Sequence, residues 1–232
     1  MKKILSIVVI VFSLFAVVCC GDDEQDVTSI KVTASLSCPD SHHPHAIDLG
    51  LPSGTKWACC NVGASTPEGY GGYYAWGETS EKSVYNEVTY QYCTGEDANG
   101  DGWYETNNSY QNIGSDIAGT SYDVAHVRMG GSWRMPSIDQ QQELINNCTK
   151  TFTQQNGVNG ILLKGKNGGQ LFLPAAGNRY YSDRSGAGSD GYYWSSSLDS
   201  GSACSLGFYA GGWPWLDYFY RLYGHSVRAV CP

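Results

Sequence analysis

The C-terminal stretch, residues 191–232, constrains the fold more than any other part of the chain. It holds eleven of the thirty tryptophans, tyrosines and phenylalanines, but only four formally charged residues. Rings at this density cannot all lie in the core of one domain. Tryptophan and tyrosine combine a large apolar area with a polar tip and few rotatable bonds, which suits a contact surface. We therefore expect part of this stretch to be core and part to form a binding face.

The two parts are assigned from residue type and strand alternation. We expect Trp194, Phe208, Phe219, Val227 and Val230 to be core. Over 215–220, alternation sends one set of side chains inward and the other outward. The rings could stack on sugars or anchor a protein, with polar side chains adding hydrogen bonds. The predicted contact residues are Tyr209, Trp213, Trp215, Asp217, Tyr218, Tyr220, Arg221, Tyr223 and His225.

Residues 1–20 form a predicted lipoprotein signal peptide. Lys2 and Lys3 precede an apolar run, 4–18, that is too short to span a bilayer comfortably. The run ends in two cysteines, which resembles the lipobox of bacterial lipoproteins and implies a diacylated Cys20. The acidic residues after it resemble the signal that sends Bacteroidetes lipoproteins to the outer face of the outer membrane. A plain cleaved signal peptide or an uncleaved anchor is the alternative.

Charge and glycine content narrow the class of protein. Without Lys2 and Lys3 the chain has 12 basic and 22 acidic residues, a net charge of −10, whereas nucleic-acid binding needs a basic face. We therefore expect no nucleic-acid partner. We also expect the chain to be a monomer that contacts a membrane only through its lipid anchor. The 29 glycines and sparse helical periodicity predict a loop-rich fold of short β strands. About 210 mature residues suffice for one large domain or two small ones.

Several strands are readable from local pattern. Residues 27–36 are rich in β-branched side chains and predict a strand after a polar tether, together spanning 21–45. Residues 46–62 predict two strands around a Pro-Ser-Gly turn. GILL and QLFL flank a glycine-rich turn and predict a hairpin over 160–173. The final segment predicts three or four further short strands.

One helix is clear, within residues 130–150. Ser137 follows a proline and Gln140 lies three residues further on, which predicts a capping box. The long polar stretch 83–122 predicts a surface excursion from a compact frame.

Eight sequence blocks resemble one known family in their order along the chain. They are AIDLGLPSGTKWA, CNVGAS, YYAWGET, GGSWRMP before a helix, NGVNG, LFLPAAG, YYWSSS and GHSVRAV. Together they resemble the Fibrobacter succinogenes major paralogous domain of gut Bacteroidetes lipoproteins. The resemblance implies an α+β, C-type lectin-like fold over 46–232: short twisted antiparallel strands, one or two helices, joined terminal strands, and long loops on one face.

The same fold carries the variable proteins of diversity-generating retroelements. Residues 191–230 look like such a variable segment, with YYWSSS and GHSVRAV as its constant borders. The candidate variable positions lie at 200–223, and sequencing this locus in closely related strains would test the idea. A uniform C-terminus beside a varying remainder would exclude it.

The resemblance also relates the chain to formylglycine-generating enzymes, which use a cysteine pair near the C-terminus. Cys204 and Cys231 are the cysteines of that region, but they are 27 positions apart and the surrounding enzyme motifs are missing. We therefore expect no enzymatic activity. The alternatives to a binding protein are this oxidase and a structural surface or adhesin component without a small-molecule site. The binding interpretation leaves a glycan and a protein open as ligands.

Calcium is the one cofactor that the sequence suggests. Asp97, Asn99 and Asp101, with a glycine at the sixth position and Glu105 at the ninth, resemble the opening of an EF-hand loop. The twelfth position holds Asn108 instead of a bidentate acid, and the alternative is an acidic glycine turn. The loop histidines His42, His43 and His45 are more typical of solvated side chains than of a metal site.

Overall fold

Short antiparallel strands make up most of the regular structure in a computed structural model that describes residues 42–95 and 110–232. These residues all fall within one compact unit, Ala34–Pro232. The helices are α1 (Val124–Met129) and α2 (Ile138–Asn147). The strands are β1 (Ala46–Asp48), β2 (Lys56–Ala58), β3 (Thr149–Gln155), β4 (Val158–Lys164), β5 (Gln170–Pro174), β6 (Asn178–Tyr180), β7 (Asp183–Ser185), β8 (Asp190–Asp199), β9 (Ser202–Tyr209), β10 (Trp215–Phe219) and β11 (Val230–Cys231).

The strands form four small sheets, with the orders β1-β2-β11, β10-β9-β8, β3-β4-β5 and β6-β7. Every pairing between these strands is antiparallel. In the first sheet the C-terminal strand β11 joins the N-terminal strands, because Val230 lies opposite Trp57 on β2. The predicted α+β, loop-rich class with short antiparallel strands is confirmed.

The capping box of α2 is confirmed. The Ser137 side chain accepts a hydrogen bond from the Gln140 N–H at 3.2 Å, and the Gln140 side chain accepts one from the Ser137 N–H at 3.0 Å. Leu144 is fully buried on the face that packs on the β10-β9-β8 sheet. Helix α1 was not predicted. Its N-cap residue Asp123 accepts hydrogen bonds from the N–H groups of Ala125 and His126. These N–H groups lie in the first turn and have no carbonyl acceptor within the helix, so the carboxylate takes the place of that acceptor.

The predicted hairpin over 160–173 is confirmed as β4 and β5. A second hairpin, β3–β4, was missed although its turn is the dipeptide Asn156-Gly157. Both residues have positive φ angles, 49° and 82°, as a type I′ turn requires. The polar composition of β3 obscured this signal, because its exposed positions carry threonine and glutamine.

The predicted surface excursion over 83–122 is wrong at several of its described positions. Tyr85, Tyr90 and Ile117 are buried. The tyrosines tolerate burial because their hydroxyls donate to main-chain carbonyls, Tyr85 to Tyr73 at 2.6 Å and Tyr90 to Trp76 at 2.7 Å. Aromatic packing therefore overrides the polar composition of this stretch.

The buried side chains form three clusters. One surrounds Leu144 and the β3-β4-β5 sheet, one surrounds Trp76 and Trp194, and a smaller one surrounds Tyr73 and Tyr85. The predicted core residues follow this division: Trp194, Phe208, Val227 and Val230 are buried, and Phe219 is half-buried against the second cluster.

The predicted signal peptide, the lipidated Cys20, the strand over 27–36 and the calcium residues Asp97, Asn99, Asp101 and Glu105 lie outside the described residues. Within the described ranges, neither helix is long and apolar enough to cross a membrane. The predicted domain boundary at residue 46 stays a prediction.

Candidate ligand-binding surface

The hairpin of β8 and β9 carries the candidate surface, together with β10 at one edge of the same sheet. Ser200 and Gly201 turn the hairpin with φ angles of 49° and 91°, which fits a two-residue type I′ turn. Strand β10 pairs with β9 along its whole length, Trp215 to Phe219. Because no strand within the described ranges pairs with its other side, β10 is an open edge with exposed side chains.

A cleft of about 360 Å³ lies at the C-terminal end of β10. Tyr218 and Tyr220 are 50% and 48% exposed, whereas Phe219 and Tyr223 are half-buried with ring centroids 6.4 Å apart. The cleft therefore combines apolar ring faces with phenolic hydroxyls, which both donate and accept hydrogen bonds. Its lining residues are Ser202, Tyr218, Phe219, Tyr220 and Tyr223.

Three of the predicted contact residues lie near the other end of β10. Trp213 is 76% exposed, with Lys150 Nζ 5.7 Å from its ring centroid. Tyr209 is exposed and its ring lies 5.5 Å from that of Trp215, which packs partly on the core. Because a five-residue strand spans about 13 Å, these rings form a patch separate from the cleft. Asp217 is exposed between the two and accepts a hydrogen bond from the Tyr218 N–H.

Arg221 does not reach the surface, so its predicted contact role is corrected. It is 2% exposed, and its guanidinium lies over the rings of Trp76 and Tyr110 at 4.8 and 5.1 Å. Its Nε donates to the Tyr90 hydroxyl and its Nη1 to the Gln111 carbonyl. A cation enclosed by ring faces and carbonyls is a packing anchor. Burial, ahead of the opposing effect of Arg221, raises the pKa of Tyr90 far above its ordinary value.

His225 is also fully buried, so its predicted role as a surface contact residue is corrected. Its ring stacks on Trp194 with centroids 3.9 Å apart, and its Nδ1 lies 3.1 Å from the Ser205 hydroxyl. Burial lowers the pKa of His225 to about 3, since a charged imidazole would lose its solvation there. The imidazole is therefore neutral at physiological pH and fills space behind the cleft residue Phe219, whose centroid is 4.9 Å away.

Ser202 and Phe219 line the cleft. Both fall within the predicted variable positions 200–223, but neither was named as a contact residue. Both come together through the register of β9 and β10, in which Phe219 lies opposite Ala203. The serine gave no chemical signal of its own, and the phenylalanine was assigned to the core. Only the pairing of the two strands, with the turn at Ser200 and Gly201, could have placed them side by side.

The cysteines of the enzyme alternative show no activation. Cys204 and Cys231 are both free and buried. Burial raises the pKa of the Cys204 thiol to about 11 and also raises the pKa of Cys231, whereas the reactive form of cysteine is the thiolate. Cys59 differs: hydrogen bonding by Cys60, and then by the His45 N–H and the His43 and His45 rings, lowers its pKa to about 4 against the effect of burial.

The comparisons with known proteins add no relative. The chain matches no protein-family model, and searches of curated proteins and of solved structures give no significant match. The resemblance in its eight sequence blocks therefore stays an expectation. The binding interpretation depends on the geometry of the cleft and of the aromatic patch beside β10.

Proposed function

We propose that this protein is a lipid-anchored binding protein of the bacterial cell surface, with a C-type lectin-like domain that holds a saccharide in the cleft at the end of β10. The observation that carries the proposal is the pair of exposed tyrosines, Tyr218 and Tyr220, on a cleft of about 360 Å³. Neither ring belongs to a core cluster, which makes a ligand contact the best account of their exposure.

A saccharide suits the cleft better than a protein does. The volume falls near the lower end of the range for small-molecule sites, about 300–1,000 Å³. Sugar rings offer C–H faces that stack on aromatic rings and hydroxyls that pair with the phenols and with Ser202. A standard protein interface needs about 800 Å² on each partner, and would have to include the separate patch at Trp213.

We also propose that the sequence of this surface varies between related strains, but at fewer positions than the whole range 200–223. Within 200–223, Cys204, Ser205, Arg221 and Leu222 are buried, so free variation there would disturb the core. The exposed positions lie in the loop 210–213, at the hairpin turn and along β10. Variation that spares the buried positions and concentrates at the exposed ones is the pattern expected across related strains.

The cleft is tested by substitution of its two exposed tyrosines. We expect the double variant Tyr218→Ala/Tyr220→Ala to bind immobilised neutral oligosaccharides at least about tenfold more weakly than the unmodified chain, because both stacking faces are lost. Tyr209→Ala is the matched control: this tyrosine is 51% exposed, but it lies outside the cleft. Affinity is measured by biolayer interferometry on sugars first identified on a glycan array.

The outcomes separate the alternatives. If Tyr209→Ala and Trp213→Ala lose binding while the cleft variant binds fully, the binding site lies at the other end of β10. Binding to a protein partner with no glycan signal would exclude the saccharide. Equal melting temperatures are required of all variants, which is expected because none of these side chains is buried.

The anchor is tested separately at Cys20. We expect Cys20→Ser to abolish incorporation of a radiolabelled fatty acid and to release the chain from the membrane fraction, because the acyl chains are the proposed attachment. Cys19→Ser is the matched control and should retain the label. Label retained in Cys20→Ser would exclude the proposed lipidation site.

A further inference from the structure

Sulfur and nitrogen atoms converge outside the candidate surface, where the segment before β1 meets the end of β2. The antiparallel register of these strands pairs Ala46 with Ala58, which brings His45 beside Cys59. His43 Nδ1 lies 3.2 Å from Cys59 Sγ, His45 Nδ1 lies 3.7 Å from it, and Cys60 Sγ lies 3.9 Å from it. The donor atoms of His43, Cys59 and Cys60 all lie within 4.8 Å of one another.

These separations are close to those of a tetrahedral metal site. Zinc binds sulfur at about 2.3 Å and imidazole nitrogen at about 2.0–2.1 Å, so the edges of its tetrahedron are about 3.6 Å from N to S and about 3.8 Å from S to S. The three distances measured from Cys59 Sγ differ from these by a few tenths of an ångström. We propose that His43, Cys59 and Cys60, whose donor atoms already lie together, bind one zinc ion, and that the His45 ring turns towards them to supply the fourth ligand.

The type of donor selects the metal. Two thiolates and two imidazoles form the S₂N₂ set that suits zinc, whereas calcium and magnesium take oxygen ligands. The grouping contains no carboxylate among the described residues. In the bound site both sulfurs are thiolates, any remaining thiol proton goes to solvent, and the ion keeps its +2 state, so the site as a whole is neutral. Neutrality matters because both cysteines are buried.

The groups around the site already orient its ligands. The His45 N–H donates to Cys59 Sγ at 3.1 Å, and the His45 carbonyl accepts from the Cys59 N–H at 2.9 Å. The Cys59 carbonyl in turn accepts from Arg228 Nη1 at 2.7 Å. Such outer hydrogen bonds fix the direction of metal ligands and tune their basicity. The cysteine side of the site is therefore preorganised on the buried framework.

The site also has a path from solvent. A pocket of about 230 Å³ lies beside it, lined in part by His43, Pro44, Cys60 and Arg128. The two imidazoles are half-buried, so an ion enters from their side and meets the thiols behind them. The Arg128 guanidinium is occupied elsewhere, since its Nε donates to the Thr79 carbonyl and the group lies over the Tyr74 ring.

A bound ion would fasten the segment that enters the domain to β2. The imidazoles belong to residues 42–45 and the thiols to the two residues that follow β2, so the metal closes a loop of about fifteen residues. The expected role is structural: zinc should raise the melting temperature, because an ion that binds only the folded chain stabilises it.

Cobalt(II) is the probe for the test, because a tetrahedral thiolate site gives it a sulfur-to-metal charge-transfer absorption. The full chain is purified in detergent, reduced with a phosphine and titrated with Co²⁺, which Zn²⁺ then displaces. We expect the absorption to saturate at one equivalent and Zn²⁺ to raise the melting temperature. Cys59→Ser/Cys60→Ser should weaken Zn²⁺ binding more than about a hundredfold, since loss of mere outer contacts already costs about 10–100-fold.

Two further variants keep the result decisive. Cys148→Ser is the matched control, a buried free cysteine outside the cluster, and should keep the absorption. His43→Ala, at a half-buried loop position, tests the site if the double cysteine variant does not fold. No charge-transfer absorption, an absorption that survives in the cluster variants, or a Cys59–Cys60 disulfide that resists the reductant would each overturn the proposal.

Discussion

Arg228→Met is expected to lower the free energy of unfolding by about 4 kcal/mol or more, because it leaves several buried acceptors without a donor. Arg228 is 1% exposed. Its Nε donates to Asn61 Oδ1 at 2.8 Å, its Nη1 to the Ala58 and Cys59 carbonyls, and its Nη2 to the Phe172 carbonyl at 2.9 Å. Each acceptor stranded without water costs about 1–3 kcal/mol. Most of the stability of a domain of this size would be lost.

Two comparisons isolate the role of the guanidinium. Arg228→Lys keeps the charge but offers one compact ammonium in place of a planar fork, so it cannot serve all these acceptors and should recover only part of the loss. Arg184→Met, at an exposed position on β7, should change stability by less than about 0.5 kcal/mol. Urea unfolding followed by tryptophan fluorescence gives the three values. Equal midpoints for Arg228→Met and Arg184→Met would contradict the prediction.

Arg228 also shows where prediction from sequence stopped. Arg228 lies in GHSVRAV, one of the two predicted constant borders of the variable segment. Its hydrogen-bond partners lie at the end of β2, just after it and on β5, which only the tertiary fold brings together. Local signals performed better. The capping box at Ser137 and the glycine-rich turn between β4 and β5 depend on neighbouring residues, and both were predicted with the right type of element.

The same difference between local signals and tertiary contacts applies to the candidate site. Exposure of Tyr218, Tyr220 and Trp213 could be inferred, because a β edge with so many rings cannot bury all of them. The burial of Arg221 could not be inferred, because its enclosure depends on Trp76 and on Tyr90 and Tyr110, and the two tyrosines come from the stretch 83–122, whose polar composition predicted a surface position. A charged residue among aromatic residues gives the same local pattern at a binding face and in a cation–π anchor.

The histidine–cysteine cluster has no local pattern either. Adjacent cysteines are not a recognised zinc spacing, and the histidines precede them by 14–17 positions along the chain. The pairing of β1 with β2 creates the proximity, because the ladder places His45 beside Cys59. A predicted hairpin over 46–62 with an assumed register would have been enough to suggest it. The histidines alone were interpreted as solvated.

His225 should make the protein lose stability in mild acid. The unfolded chain binds a proton at this imidazole below its ordinary pKa of about 6.5, whereas the folded chain, with a pKa of about 3, does not. Because the unfolded state then carries more protons, stability falls as pH decreases from about 6.5 towards 3. Between pH 7.5 and 5 this one group should remove about 2 kcal/mol from the free energy of unfolding.

His225→Gln tests this through the slope of stability against pH, so a constant loss from poorer packing does not affect the result. We expect the difference in unfolding free energy between pH 7.5 and pH 5 to be smaller by about 2 kcal/mol in His225→Gln than in the unmodified chain. Urea unfolding of the unmodified chain and of His225→Gln at both pH values supplies these differences. If His225→Gln does not fold well enough for urea unfolding, the burial of His225 is tested by NMR of the unmodified chain. Ring signals of His225 that titrate near pH 6 would show an accessible imidazole and would contradict the prediction. Such an imidazole would also bring His225 back to the cleft, since Phe219 and Tyr223, which line it, are the rings that enclose the histidine.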